Sequence, residues 1–81
     1  MKVTDDDFET SQPRFIAFLL HHNIKPGDTI EMYEFMIWIN KKEREFKKLH
    51  KINSIISLKG GQDKFTDWLF EDIEDKQLSL F

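Results

Sequence analysis

The 81-residue sequence contains no cysteine and no long apolar run. Because cysteine is absent, a disulfide framework and a thiolate zinc site are both excluded, and the composition fits a reducing cytoplasm. No apolar stretch approaches the roughly 18–20 residues that a membrane-spanning helix needs, so no membrane partner is expected. The first nine residues are acidic rather than basic and lack an apolar segment. We therefore predict no signal peptide and a cytoplasmic location.

The sequence also has little net charge. Lysine and arginine total 12, and aspartate and glutamate total 15, which gives a formal net charge of −3. This balance provides no global attraction to nucleic acid or to anionic lipid. The length allows one small domain and is too short for most enzyme architectures. No nucleophile, base and orienting group stand in a recognisable pattern, so the sequence predicts a protein that acts by binding and is not an enzyme.

Metal-ligating patterns are scarce as well. His21 and His22 are adjacent, so on a helix their side chains diverge by about 100° and cannot share one metal ion. His50 is distant in sequence, and the run of three aspartates from Asp5 to Asp7 lacks the ligand spacing of a calcium loop. We therefore predict no metal site and no cofactor.

Apolar residues make up 40% of the chain and aromatic residues 14%, which is enough for a hydrophobic core. A first helix is predicted from Ser11, which can cap it, with Pro13 in its first turn, to about Asn23. Its crowded apolar residues predict burial over much of its surface. A second helix is predicted from Asp28, which stands in capping-box spacing with Glu31. The apolar spacing predicts one buried face along this helix, formed by Met32, Phe35, Met36, Ile39, Phe46 and Leu49.

The last third of the chain predicts two further helices. A short helix is expected at about residues 54–59, although the β-branched pair Ile55-Ile56 also fits a short strand. A last helix is predicted from Gln62 to Glu74, and its acidic end opposes the helix dipole, so fraying is expected there. The predicted fold is all-α, a small bundle of three to four helices with a flexible C-terminal peptide tail. Its predicted parts are a disordered acidic N-terminus at 1–10, a helical domain at 11–75 and the tail at 76–81.

A basic segment at residues 41–51 carries six cations against two glutamates, a local charge of +4. One interpretation is that its cations contact nucleic-acid phosphates, the candidates being Arg44, Lys47, Lys48 and Lys51. The alternative, which we favour, is a solvated helix with local ion pairs, Glu43 with Lys47 and Glu45 with Lys48.

The sequence closes with three large apolar side chains in its last four positions, where a frayed helix end is expected. Residues Gln77-Leu78-Ser79-Leu80-Phe81 resemble the pentapeptide by which bacterial replication and repair proteins dock on the DNA polymerase sliding clamp. The pattern of that family is Gln-Leu-Ser/Asp-Leu-Phe, and all five positions agree. The resemblance covers five of the 81 residues and implies a partner rather than a fold or a reaction.

The resemblance implies a role for each residue of the peptide. The Gln77 amide enters a small polar subsite, where its donors and its acceptor are all used. Leu80 and Phe81 fill a hydrophobic pocket on the clamp. Leu78 packs beside them, and Ser79 faces outward.

The predicted function is an interaction protein that docks on the bacterial sliding clamp and regulates or inhibits DNA replication, as a small phage-encoded or host protein would. Such a protein would associate with the nucleoid through the clamp. The clamp could instead serve as a mooring that places the helical domain on DNA or on another replisome protein. The alternative function is a small helical nucleic-acid-binding protein that uses residues 41–51 and buries its C-terminal side chains in its own core. The sequence does not predict an oligomeric state.

Overall fold

The computed structural model describes the backbone of residues 1–78 and the side chains of residues 1–71. The described residues form four α-helices and one 3₁₀ turn and contain no strand, which confirms the predicted all-α fold. The helices are α1 (Asp7–Thr10), α2 (Pro13–His21), α3 (Met32–His50) and α4 (Gly61–Leu78), and the 3₁₀ turn is Ile55–Ser57. The alternative of a short strand at Ile55-Ile56 is therefore wrong.

Two compact units make up the chain, Met1–Ile39 and Asn40–Phe81, which we call unit 1 and unit 2. The boundary between them falls within α3, so this helix contributes its first residues to unit 1 and its last residues to unit 2.

Residues 1–10, expected to be disordered, are ordered in unit 1. Val3 is only 1% exposed, and its N–H donates a hydrogen bond to the Asp28 carbonyl at 2.8 Å. Lys2 and Thr29 form an isolated antiparallel bridge. The expectation was wrong because paired backbone groups and one buried apolar side chain hold the segment in place, although most of its other side chains are polar or acidic.

Helix α2 forms the centre of the unit 1 core. It begins after Gln12, its N-cap, rather than after Ser11. Four of its side chains are buried, as its crowded apolar sequence predicts: Phe15, Ala17, Phe18 and Leu19. The Phe18 ring packs against two rings of α3, with centroids 5.5 Å from Phe35 and 5.7 Å from Trp38. This aromatic contact holds α2 and the first half of α3 together.

Helix α3 begins at Met32, four residues after the predicted cap, because Asp28 is used in a turn. The Asp28 carboxylate accepts a hydrogen bond from the Lys25 N–H at 2.9 Å. A one-sided capping contact forms three residues later instead. The Glu34 carboxylate accepts from the Glu31 N–H at 3.3 Å, and the Glu34 N–H donates to the Glu31 carbonyl at 3.0 Å. The predicted Asp28–Glu31 capping box is therefore wrong, and the Glu34 carboxylate supplies one half of such a box at Glu31.

Unit 2 is built around aromatic side chains of α3 and α4. Phe46 of α3 is 1% exposed and Phe65 of α4 is fully buried, with ring centroids 5.2 Å apart. Trp68 packs on Phe46 at 5.4 Å. Ile55 and Leu69 complete the buried apolar side chains described in this unit. These contacts position the first half of α4.

Helix α4 starts at Gly61, which lies against the 3₁₀ turn. A Cβ at this position would overlap the carbonyl group of Ile55, so the close approach requires glycine. The preceding Gly60 has a left-handed φ of +67°. The backbone of α4 continues to Leu78, four residues beyond the predicted end at Glu74. Lysine, glutamine and leucine in this stretch are good helix formers, which offsets the unfavourable acidic charge near the helix end.

Candidate functional site

The predicted clamp-binding peptide follows the anchored part of α4. The backbone of Gln77 and Leu78 forms the last two positions of this helix, whereas Ser79, Leu80 and Phe81 lie outside the described residues. The expected flexible tail and the roles of its five side chains therefore concern a part of the chain whose side chains are not described, and they stay predictions.

Helix α4 is anchored in unit 2 by its first half. Phe65 and Leu69 are 0% and 2% exposed, and Leu69 is the last buried residue among those with described side chains. Gln77 lies eight residues further on, about 12 Å along the helix axis at about 1.5 Å per residue. The described anchors of α4 thus precede the peptide by about two helical turns.

Three cations of α3 share one side of the helix in unit 2. Lys41, Arg44 and Lys48 are exposed and lie within an arc of about 60°, because successive residues are rotated by about 100°. The buried Phe46 lies on the opposite side of the helix. We call Lys41, Arg44 and Lys48 the basic face.

The other two cations proposed from the sequence lie beside this face. Lys47 is half-buried at its edge, and Lys51 follows the end of α3 with a left-handed φ of +54°. Of the four predicted phosphate contacts, the structure brings Arg44 and Lys48 together. It adds Lys41, which the sequence interpretation did not include.

The local ion pairs expected for this segment do not form between the described residues. Glu45 pairs instead with Lys42, with Nζ and Oε2 at 3.3 Å. The Lys42 ammonium also lies 5.7 Å from the centroid of the Trp68 ring. Among the described side chains, no carboxylate lies within ion-pair distance of the basic face or of Lys47. The two expected ion pairs are therefore wrong, whereas the exposure of Lys41, Arg44 and Lys48 fits the solvated helix of the favoured interpretation.

His22 and His50 contact a backbone carbonyl and an aromatic ring, respectively. Nδ1 of His22 lies 2.9 Å from the Phe18 carbonyl oxygen. The ring of His50 packs on Phe46 with centroids 4.3 Å apart. Within residues whose side chains are described, no group of three or more histidine, aspartate or glutamate side chains could hold a metal ion.

An exposed apolar surface on unit 1 is a feature that the sequence pattern did not predict. Met32, Tyr33, Met36 and Ile37 of α3 are 48%, 61%, 51% and 64% exposed. Met1 is 45% exposed and shares with Met32 the lining of a shallow cavity of about 270 Å³. We call these five residues the apolar face.

The predicted buried face of α3 was wrong in part because the first half of this helix is apolar on all sides. Seven of the eight residues at 32–39 are apolar, whereas a packed neighbour covers only one side of a helix. Ile39 is buried, while Met32 and Met36, expected to be buried, are exposed. Leu49, further along the helix, is exposed as well. A helix with more apolar residues than one face can bury is the sequence signal that indicates such a patch.

A second concave surface lies in unit 2 between α3 and α4. Its volume is about 470 Å³, and Phe46, His50, Trp68 and Phe70 form much of its wall. Charged side chains of both signs also line it, namely Lys64, Asp67 and Glu71. The aromatic wall and the mixed charges do not select one class of ligand, and the sequence pattern did not indicate this groove.

The chain matches no known protein family, no curated protein and no solved structure. No α-helix in the described part of the chain has the length and apolar character needed to cross a membrane.

Proposed function

We propose that the protein docks on the bacterial DNA polymerase sliding clamp through Gln77–Phe81 and thereby regulates or inhibits DNA replication. The observation that carries the proposal is the agreement of all five residues with the clamp-binding pattern. The small size of the chain favours a regulator that occupies the clamp pocket over a protein that carries an enzymatic domain to the clamp.

The peptide has the chemistry that such a pocket needs. Leu80 and Phe81 supply large apolar side chains for a hydrophobic pocket, and Leu78 extends the same apolar surface. The Gln77 amide can donate and accept hydrogen bonds in a polar subsite. Because a polymerase that carries a similar peptide needs the same pocket, occupation by this protein excludes the polymerase.

The buried side chains that are described in unit 2 all precede the peptide. The buried side chains described in unit 2 end at Leu69, and Gln77 lies about 12 Å further along α4. Removal of the last five residues therefore leaves every described buried contact of unit 2 in place. If the terminal side chains belonged to the core instead, the same truncation would destabilise unit 2.

Calorimetric titration of purified clamp with the full chain tests the proposal. We expect weak binding, on the order of micromolar or weaker, because the roughly 1.5–3 kcal/mol gained per buried apolar side chain is offset by an association cost of about 4–15 kcal/mol. The double variant Leu80→Ala, Phe81→Ala should bind about 100-fold more weakly or worse, since it loses both side chains that fill the pocket.

Ser79→Asp is the matched control within the same peptide, because the clamp-binding pattern accepts either residue at this position. Its affinity should stay within about threefold of the unchanged chain. Circular dichroism should give the same helicity for all three proteins. Clamp binding that survives in the double alanine variant would make the sequence match a coincidence. Loss of helicity in that variant would assign the two side chains to the protein's own core.

Clamp-dependent primer extension distinguishes a regulator of replication from a protein that uses the clamp only as an attachment site. A regulator that occupies the pocket should lower processive synthesis when added in excess, and a chain lacking residues 77–81 should not. If the full chain binds the clamp but leaves synthesis unchanged, the clamp serves to place the helical units on DNA or on another replisome protein.

Nucleic-acid binding is the second candidate function, and the basic face favours it. Lys41, Arg44 and Lys48 project from one side of α3 and have no ion pair among the described side chains. An unneutralised row of cations is the arrangement that binds phosphates with release of counterions. Because the overall charge of −3 gives no general attraction to nucleic acid, such binding depends on a local basic surface.

The salt dependence of binding to duplex DNA, measured by fluorescence anisotropy, tests this second function. The double variant Arg44→Gln, Lys48→Gln should reduce the slope of log affinity against log salt by about 1.8, or about 0.9 for each lost phosphate contact. The variant Lys2→Gln, Lys59→Gln removes two exposed cations elsewhere and should leave the slope unchanged. Equal slopes for both variants would contradict a role for the basic face.

A further inference from the structure

The sulfur atoms of the chain are confined to the apolar face of unit 1. The sequence contains no cysteine and three methionines, Met1, Met32 and Met36. All three belong to the apolar face, and they are 45%, 48% and 51% exposed. Water and small dissolved molecules therefore reach every sulfur-containing residue of the protein.

The three methionines are also neighbours in space. Met32 and Met36 are four residues apart in α3, so their Cβ atoms lie about 5–6 Å from each other on one side of the helix. Met1 shares with Met32 the lining of the cavity of about 270 Å³. The amino group of Met1 donates a hydrogen bond to the Ile30 carbonyl at 2.8 Å, which holds Met1 beside the start of α3. We call Met1, Met32 and Met36 the methionine cluster.

Exposed thioethers react with two-electron oxidants of the peroxide class, of which hydrogen peroxide is the simplest. The sulfur lone pair forms an S–O bond with one peroxide oxygen while the O–O bond breaks. The proton of the transferred oxygen passes to the departing hydroxide, which leaves as water. The sulfur thus loses two electrons, the peroxide gains two, and the product is methionine sulfoxide. Cysteine thiolates compete for such oxidants in many proteins, but this chain has no cysteine.

The two tryptophans, which are also oxidisable, are less accessible than the methionines. Trp38 is 9% exposed, and its ring packs against Phe18 with centroids 5.7 Å apart. Trp68 is only partly exposed, and its ring packs on Phe46 at 5.4 Å. Oxidation should therefore begin at the methionine cluster.

We propose that the methionine cluster is an oxidation site, and that its conversion to sulfoxides makes the apolar face polar while unit 1 stays folded. Each sulfoxide replaces a flexible apolar side chain with a polar one, so the reaction changes three of the five residues of the face. The buried side chains described in unit 1 include no methionine. Oxygen atoms added to half-exposed side chains therefore reach water without displacing a packed core atom. Methionine sulfoxide reductases reverse the reaction, and none of these steps depends on clamp docking.

Treatment of the full chain with dilute hydrogen peroxide, followed by intact-mass and peptide mass spectrometry, tests the site. The mass should rise in steps of about 16 Da, with one oxygen atom added to each methionine before any tryptophan reacts. Circular dichroism should show unchanged helicity, and hydrophobic-interaction chromatography should show earlier elution. Methionine sulfoxide reductases should restore the elution of the untreated protein.

The double variant Met32→Leu, Met36→Leu is the matched control, because leucine keeps both positions apolar and cannot form a sulfoxide. After the same treatment its elution should shift by about a third as much as that of the unchanged chain, since only Met1 can react. A shift as large as that of the unchanged chain would overturn the proposal. Oxidation of the methionines more than about tenfold slower than that of free methionine would overturn it as well, because their exposure predicts ready access. Loss of helicity on oxidation would also overturn it.

Discussion

At the scale of single residues, Val3 connects the start of the chain to the unit 1 core. Its side chain is 1% exposed, its N–H donates to the Asp28 carbonyl, and its own carbonyl accepts from the Gly27 N–H, both at 2.8 Å. The β-contact between the two segments consists of these bonds, those between Met1 and Ile30, and one isolated bridge, and so short a β-contact is marginal in water. Burial of the valine side chain therefore supplies much of the free energy that orders residues 1–10.

Val3→Ala should lower the free energy of unfolding by about 1–3 kcal/mol, because it removes buried methyl groups and leaves a cavity. Urea unfolding followed by circular dichroism measures this change. Lys2→Ala is the matched control, since the neighbouring Lys2 side chain is exposed and its loss should change stability by no more than about 0.5 kcal/mol. Similar effects of the two variants would contradict the role given to Val3.

Single-residue features of this kind are the ones that the sequence conceals. A lone valine among aspartates has no periodicity, so nothing marks Val3 as a core residue. Asp28 is of a residue type and at a spacing that suit a helix cap. Its carboxylate instead accepts a hydrogen bond from the Lys25 N–H in a turn, because aspartate suits both roles. In both cases a tertiary or turn contact decides between local structures that the sequence permits equally.

At the scale of elements, α3 buries one side along its length, since Ile39 and Phe46 are seven residues apart and therefore only about 20° apart around the helix. In unit 1 its core contacts include Trp38, and in unit 2 Phe46 is the buried residue. The helix itself follows from its apolar spacing, so its existence and type were predictable. The side that is buried was only partly predictable, because that depends on which neighbour packs against each turn.

Phe46 and Leu49 make a matched pair for testing this assignment, since the sequence predicted both to be buried on one face. Phe46 is 1% exposed and Leu49 is 61% exposed. Phe46→Ala should lower the free energy of unfolding by about 3–5 kcal/mol. Leu49→Ala should change it by no more than about 0.5 kcal/mol. Chemical denaturation measures both, and comparable losses would restore the continuous face that the periodicity predicts.

The apolar residues and the end of helix α4 differ in how well the sequence predicts them. Its buried residues Phe65 and Leu69 are spaced i, i+4 on one face, as in an amphipathic helix. Its acidic second half predicted an early end, yet the backbone is helical to Leu78. Favourable helix propensities in that half outweigh dipole effects of a few tenths of a kcal/mol each.

At the scale of the whole molecule, the peptide, the basic face and the apolar face differ in how well they can be predicted from the sequence. The proposed clamp-binding peptide is contiguous in sequence, so it can be identified without knowledge of the fold. The basic face needs a helix to align its cations, and the sequence named two of its three members, Arg44 and Lys48. The apolar face depends on which turns of α3 remain uncovered, and only the structure gives that.

These surfaces are compatible in one molecule. The peptide follows the anchored half of α4, the basic face belongs to unit 2, and the apolar face belongs to unit 1. A protein that occupies the clamp through the peptide keeps both other surfaces for further contacts. Clamp docking is the claim on which this account of function depends.

The most direct test of that claim is a nuclear magnetic resonance titration of isotopically labelled full-length protein with unlabelled clamp at sub-stoichiometric ratios. We expect the first and largest losses of amide signal at Gln77–Phe81, with much smaller changes at the buried positions Phe18 and Phe65. Signal losses centred on residues of unit 1 or on the first half of α4, with the last five residues unchanged, would contradict the account.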